Sequence, residues 1–231
     1  IEYKFKKTKL INKKKMSYVD ADILLKSNLE WKKLIKLLSL HWGDIDDSHK
    51  LIEKMMVFYN SKMAENLHSR NLSFPIRIHK GLNEDIAEKF YELGENSDNN
   101  FLFKKVCYHS AEYVNSSITS SKKHYGLNVN MYTHASSPLR RAIDYIIQRI
   151  FTYEEIFDIN KICTVSNETN KALKKTYRDI TKLQLINNFY TDKLCKRRYT
   201  ATILNFNETS VTVYIYDLDI IHYIKLFSKI S

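Results

Sequence analysis

The sequence predicts an α+β fold, largely helical, with a short antiparallel β segment at its C-terminal end. Three observations carry this. Apolar residues recur at helical spacing through most of the chain, as in Leu139, Ile143, Ile146, Ile147 and Ile150. The last forty or so residues switch to the alternation of half-buried strands. Hydrophobic residues make up 44% of the 231 positions and aromatics 13%, enough for a real core without disulfide staples and too rich for disorder.

The elements follow in order. Residues 1–18 alternate apolar and basic side chains, Tyr3 and Phe5 among Lys4, Lys6 and Lys7, and read as a short strand with a basic turn at Lys13, Lys14 and Lys15. Residues 19–41 read as two short helices, the second with Trp31, Leu34, Ile35 and Leu38 on one side. Gly43 and the acidic run 44–47 form a turn. Asp47 or Ser48 then caps a long helix that reaches about Leu67 through Leu51, Met55, Tyr59 and Met63. Residues 71–80 are extended and carry Pro75. Residues 82–93 and 101–117 read as helices on either side of a polar loop at 94–100. A hydroxyl-rich basic stretch at 116–124 precedes a periodic helix at 138–152, and a further long helix covers about 168–191. Residues 198–206, 210–216 and 220–226 alternate as strands, with a hairpin turn at 205–208. A boundary near residue 193 separates a domain at 1–192 from a β-rich segment at 193–231.

The charge balance points to a polyanion. Lys and Arg number 37 against 26 Asp and Glu, a net charge of +11, so RNA, DNA or an acidic membrane surface fits. A spanning helix is excluded, because no run approaches the roughly 18 apolar residues it needs. No amphipathic segment sets Trp or Phe opposite lysines, so a membrane partner is not expected. Cys107, Cys163 and Cys195 lie at no metal-ligand spacing, which suits an intracellular, reducing compartment. Cys107 near His109 reads as a buried structural thiol, since helical positions two apart face different ways.

The segment that carries chemistry is Met131-Tyr132-Thr133-His134-Ala135-Ser136-Ser137-Pro138-Leu139-Arg140-Arg141-Ala142-Ile143-Asp144. Ser137 as N-cap and Pro138 as first helical residue make a sharp helix start, whose free N–H groups attract anions. Arg140 and Arg141 then fall in the first turn, where the helix dipole disfavours cations. They need a compensating anion, and both a neighbouring carboxylate and a bound phosphate fit the planar guanidinium fork.

This segment resembles the signature of the RNase II/RNase R family, the RNB-domain exoribonucleases, Tyr-Thr-His-Phe-Thr-Ser-Pro-Ile-Arg-Arg-Tyr-x-Asp. Order and spacing match from Tyr132 to Asp144, with Ala135, Ser136, Leu139 and Ala142 as departures. His124-Tyr125-Gly126-Leu127 resembles the His-Phe-Gly-Leu upstream of it. Leu51-Ile52-Glu53 with Asn60, Ala64 and Leu67 is similar to the family's Leu-Ile-Glu-Glu-Phe-Met helix ending in Ala-Asn-x-x-Val-Ala, Lys54 replacing its second Glu. Phe74-Pro75-Ile76-Arg77-Ile78-His79 is similar to its Pro-x-x-Tyr-Arg-x-His strand. The resemblance covers about residues 3–190.

The resemblance implies the second half of an RNB-type catalytic domain, followed by strands that resemble part of an OB-fold. It implies stepwise 3′→5′ hydrolysis of single-stranded RNA with a divalent metal, Mg²⁺, held by aspartates that lie upstream of residue 1. Arg140 would be the catalytic residue, holding the phosphate near the scissile bond, with Arg141 beside it. Tyr132, His134, Ser137, His124, Arg77 and His79 would contact RNA. The isolated chain is expected to be inactive without the first half of the domain, supplied in a longer chain, as a subunit or within a larger RNA-processing assembly.

Other carboxylates offer a substitute metal site. Residues 44–47 mimic the family's Asp-x-Asp-Asp but stand directly before the helix at Ser48, out of family order, and read instead as an acidic helix start. His41, His49 and His79 with Asp46 and Asp47 have no ligand spacing that fixes a metal. Tyr177 precedes Arg178-Asp179 where the family carries Glu. A non-catalytic RNA-binding or assembly protein of the same fold is therefore the alternative to an exoribonuclease.

Overall fold

The computed structural model describes residues 2–92, 103, 106–191 and 198–226. The loop expected at 94–100, the boundary near 193 and Cys195 lie outside the described residues. Two compact units divide the chain, Ile1–Ile78 with Tyr113–Thr164, and His79–Glu112 with Val165–Ser231.

Local capping explains the first unit's opening helices. The Ser17 hydroxyl accepts from the Asp20 N–H while the Asp20 carboxylate accepts from the Ser17 N–H, a reciprocal cap that starts α1 (Tyr18–Ser27). Asn28 caps α2 (Leu29–Trp42) through its own side-chain oxygen. Asp47 Oδ1 accepts from the Lys50 N–H at 2.7 Å and starts α3 (Ser48–Ser69). All three helices fall where the spacing predicts them. Residues 2–17 carry no regular element, in contrast to the strand expected there. The alternation is that of an extended chain, but a strand needs a neighbour to complete its ladder. Phe5 packs instead against the core, edge-on to Tyr59 at 5.7 Å and Phe151 at 5.2 Å.

β1 (Pro75–Ile78) pairs with β2 (Glu112–Asn115). β2 replaces the end of the helix expected at 101–117. Tyr113 and Val114 suit a pleated surface, and the edge of β1 supplies the partner that local periodicity could not reveal. Pro75 sits at the first position of its strand, where its missing N–H costs least. α5 (Ala142–Tyr153) buries Ile143, Ile147 and Ile150 against Met63, Ala64 and Leu67 of α3, Ile76 of β1 and Phe74 just before it. α6 (Ile159–Thr191) begins earlier than expected, with Asp158 Oδ1 accepting from the Lys161 N–H at its start.

In the second unit, α4 (Glu84–Glu92) is followed by a three-stranded antiparallel sheet of β3 (Ala201–Asn207), β4 (Ser210–Ile215) and β5 (Ile220–Lys225). The hairpin closes at the Asn207–Ser210 pair, with Asn207 Oδ1 accepting from the Thr209 N–H at 3.0 Å. Ala87, Cys107 and Tyr214 form its small core, with Leu204 packed against them.

Candidate functional site

The signature residues fold as an extended run, a tight turn and a helix start, held by three elements of the first unit. β1 takes the extended run along its edge: the Arg77 N–H donates to the Tyr132 carbonyl at 2.8 Å, and the Thr133 hydroxyl donates to the Pro75 carbonyl at 2.6 Å. α3 contributes Asn60, which is buried. Its Nδ2 donates to the Tyr132 hydroxyl at 2.9 Å, and its Oδ1 accepts from the Ala135 N–H at 3.0 Å. α5 reaches back through Gln148, whose Nε2 donates to the Ala135 carbonyl at 2.8 Å. Side chains thus satisfy backbone groups of this run, which fixes it without a regular ladder.

The helix start differs from the one expected. Ser137 is not the N-cap and Pro138 is not the first helical residue: α5 begins at Ala142, with Arg141 as an extended N-cap. The N–H groups of Arg140 and Arg141 both donate to the Ser137 carbonyl, closing a separate turn over Ser137 to Arg141. The cause is Asp144. Its Oδ1 accepts from the Ser137 N–H at 2.7 Å and from Arg141 Nη2 at 2.8 Å, and its side chain is fully buried. A carboxylate in the first turn of α5 suits the helix dipole and clamps the preceding turn to it. The compensating anion of Arg141 is therefore a carboxylate of the chain itself. Arg140 is exposed, and among the described residues its guanidinium has no ion pair. Ser136 Oγ, Arg141 Nε and Asp144 Oδ2 are buried beneath the turn and make no hydrogen bond among the described residues.

Next to the arginines stands a histidine held neutral. Burial, then Arg141, Arg77, His124 and Arg140, push the His134 imidazole from an ordinary 6.5 down to about 3. Its Nδ1 shares a short hydrogen bond with the Tyr113 hydroxyl, and burial pushes that phenol up to about 12. The Arg77 guanidinium lies over the Tyr113 ring at 4.8 Å. Because the folded His134 pKa is depressed, the stability it contributes is present above about 6.5 and is lost as pH falls toward about 3. The expected result is that the His134 ring protons keep their neutral-imidazole NMR shifts across about pH 5 to 8. A midpoint near the ordinary value would show that the ring is neither buried nor surrounded by the guanidinium groups.

Most of the residues expected to contact RNA gather here. Tyr132 sets its ring edge-on to both His124 and His134, with centroids 5.4 and 5.3 Å apart. His124 is buried, and its Nδ1 accepts from the Leu127 N–H, capping a short 3-10 turn at Tyr125–Leu127. Arg77 rises from β1, and Ser137, Arg140 and Arg141 form the turn. His79 belongs to the second unit, where its ring stacks on Tyr108 and its Nδ1 accepts from the Gly81 N–H. Asn60, Tyr113 and Gln148 went unassigned in the sequence. Only Asn60 carried a signal, its place in the segment that resembles the family's helix.

The described residues do not fit a divalent metal. No group of three or more His, Cys, Asp or Glu among them could hold an ion. Asp47 is engaged as the α3 cap, as the acidic helix start requires. Cys107 is fully buried, and burial raises its thiol pKa, which opposes a nucleophilic role. No described helix is long and apolar enough to cross a membrane.

Comparison with known proteins finds relatives of the chain. A family model described as the RNB domain matches residues 2–153. The chain is 28% identical over 198 residues to Ribonuclease R of Chlamydia pneumoniae, covering 71% of this chain and 29% of that protein. Its fold resembles Mycoplasma genitalium RNase R in complex with ribose-methylated single-stranded RNA, with TM-score 0.55 and 20% identity over 78% of this chain and 34% of that one. It also resembles yeast Ssd1, a pseudonuclease, with TM-score 0.56 and 18% identity over 76% of this chain and 26% of that one. The chain thus spans about a third of each of these proteins, or less.

Proposed function

The chain belongs to the RNB domain family, and from that premise we propose that it forms part of a 3′→5′ exoribonuclease acting on single-stranded RNA, which it grips at the Ser137–Arg141 turn. One observation carries the reading. Arg77, Arg140 and Arg141 all bear on His134, whereas the carboxylate at the turn, Asp144, is engaged by Arg141 and the Ser137 N–H. Positive charge at the turn therefore exceeds negative, and the exposed Arg140 is placed to take two phosphate oxygens at once. Tyr132, His124 and Asn60 hold the wall behind it. His79 is retained as a further RNA contact of the second unit.

The Mg²⁺ that hydrolysis in this family implies finds no ligand set among the described residues. Its ligands are proposed to lie in the first half of the domain, outside residues 1–231. The β-rich segment at 193–231 is proposed as part of an OB-fold after the ribonuclease domain at 1–192, and a reducing compartment suits the free, buried Cys107 and Cys163. A second reading has its own support. Tyr177, exposed, stands where the family resemblance expects Glu, which favours a non-catalytic RNA-binding or assembly protein.

Arg140→Ala is expected to weaken binding of single-stranded RNA by about 1–3 kcal/mol, the range for a charge-assisted hydrogen bond. Affinity should fall steeply with salt, because binding releases the counterions that neutralised each phosphate. Poly(U) and poly(A) should differ by less than about tenfold, since stacking tolerates any base. Fluorescence competition measures all three. Unchanged affinity of a folded Arg140→Ala protein would remove the phosphate role.

A further inference from the structure

Away from the signature turn, the first unit carries a groove of about 990 Å³ between the N-terminal segment, α3 and the outer face of α5. Its lining contains five cations, Lys4, Lys6, Lys7, Lys62 and Arg149, and no carboxylate. Lys62 and Arg149 are paired with Glu65 and Glu155 outside the lining. Lys4, Lys6 and Lys7 are exposed and have no ion pair among the described residues, and Lys7 donates to the Tyr153 hydroxyl at 3.1 Å. That hydrogen bond and the charge of Lys7 lower the Tyr153 phenol pKa.

The rest of the lining is mostly aromatic. Phe5, Phe58 and Tyr59 form its floor, and Tyr3, Tyr145 and Tyr153 stand about half exposed at its sides. Aromatic faces beside lysines without an ion pair suit stacked bases on a phosphate backbone. An apolar protein segment would call for aliphatic walls, and among the lining residues only Leu10 and Met63 are aliphatic in character. The groove is also joined to the signature site. Tyr145 lies one turn beyond Arg141 on α5, and Gln148 lines the groove while donating to the Ala135 carbonyl. From Tyr145 to Tyr153 the helix extends ~12 Å at 1.5 Å per residue, enough for a few nucleotides.

We infer that this groove is a second single-stranded RNA site, which holds the strand beyond the nucleotide gripped at Arg140. Lys4, Lys6 and Lys7 neutralise its phosphates, and Tyr145 supplies a stacking face. The inference rests on the RNA-binding reading of the signature turn, and strand length separates the two. Labelled oligouridylates of about 4 and about 16 nucleotides, spanning the range of single-strand site sizes, are titrated by fluorescence anisotropy against the full chain. The variants are Lys4→Glu/Lys6→Glu/Lys7→Glu, Tyr145→Ala and Arg140→Ala, each checked for an unchanged thermal unfolding midpoint.

The triple variant and Tyr145→Ala should each lower affinity for the long strand by about tenfold or more and leave the short strand within about twofold. The triple variant should also flatten the salt dependence, by about 0.7 in the log–log slope for each phosphate that the lysines no longer neutralise. Tyr145→Phe should restore long-strand binding, because it keeps the ring. Arg140→Ala should weaken both strands. If Arg140→Ala weakens binding while both groove variants bind the long strand like the unaltered chain, the groove is not an RNA site. If no variant changes binding of either strand, the RNA reading of the turn fails with it.

Discussion

Asp144→Ala is expected to destabilise the protein by about 3 kcal/mol and to abolish tight RNA binding. Asp144 is fully buried and accepts from both the Ser137 N–H and Arg141 Nη2. Its removal strands a guanidinium and leaves a backbone donor without its partner. Breaking a buried pair by deleting one member costs about 3–5 kcal/mol. The low end applies because the Arg141 side chain keeps 28% of its surface in water. The turn that presents Arg140 then loses its clamp to α5. Asp144→Asn separates shape from charge. The amide oxygen still accepts from Ser137, so the stability loss should be only about 1–2 kcal/mol. Removing a negative charge beside the arginines should leave RNA affinity equal or higher. Urea denaturation and anisotropy measure the two effects, and an Asp144→Ala protein of full stability would show that the clamp contributes nothing.

The effect on catalysis should be larger still. Residues 1–231 alone are expected to release no mononucleotide from single-stranded RNA in millimolar Mg²⁺ or Mn²⁺. Adding the aspartate-bearing first half of an RNB domain, in the same chain or separately, should produce metal-dependent 3′→5′ release. A hard cation held against a phosphate needs several converging oxygens, and the described residues bring no such group together. Nor do Arg140, Arg141 or His134 offer a suited base. Arg140 and Arg141 are always protonated, and His134, at about 3, is far below the operating pH that general-base catalysis favours. Release that fails even with the added half would favour the non-catalytic reading. Activity of the chain alone, lost in Asp46→Asn/Asp47→Asn, would place the metal at residues 44–47.

Local chemistry made much of this protein legible before any coordinates. Ser17, Asn28 and Asp47 each satisfy orphan N–H groups within three residues of themselves, so the starts of α1, α2 and α3 can be read from short windows. The Ile143, Ile147 and Ile150 stripe and the C-terminal hairpin are likewise properties of spacing. The signature marked out the candidate site because its residues are contiguous from Tyr132 to Asp144. The tertiary structure decided what depended on distant partners. Residues 112–115 became a strand because the edge of β1 lies beside them, and the N-terminal alternation has no such edge among the described residues. Arg141 could be assigned to a carboxylate rather than a phosphate only once the turn had brought Asp144 within 2.8 Å. Asn60 and Tyr113 reach the site across 72 and 21 residues of sequence, a separation that no periodicity encodes. Capping and amphipathic spacing act within a few residues, whereas the hydrogen bonds and charges that set this site exist only after the core has assembled around them.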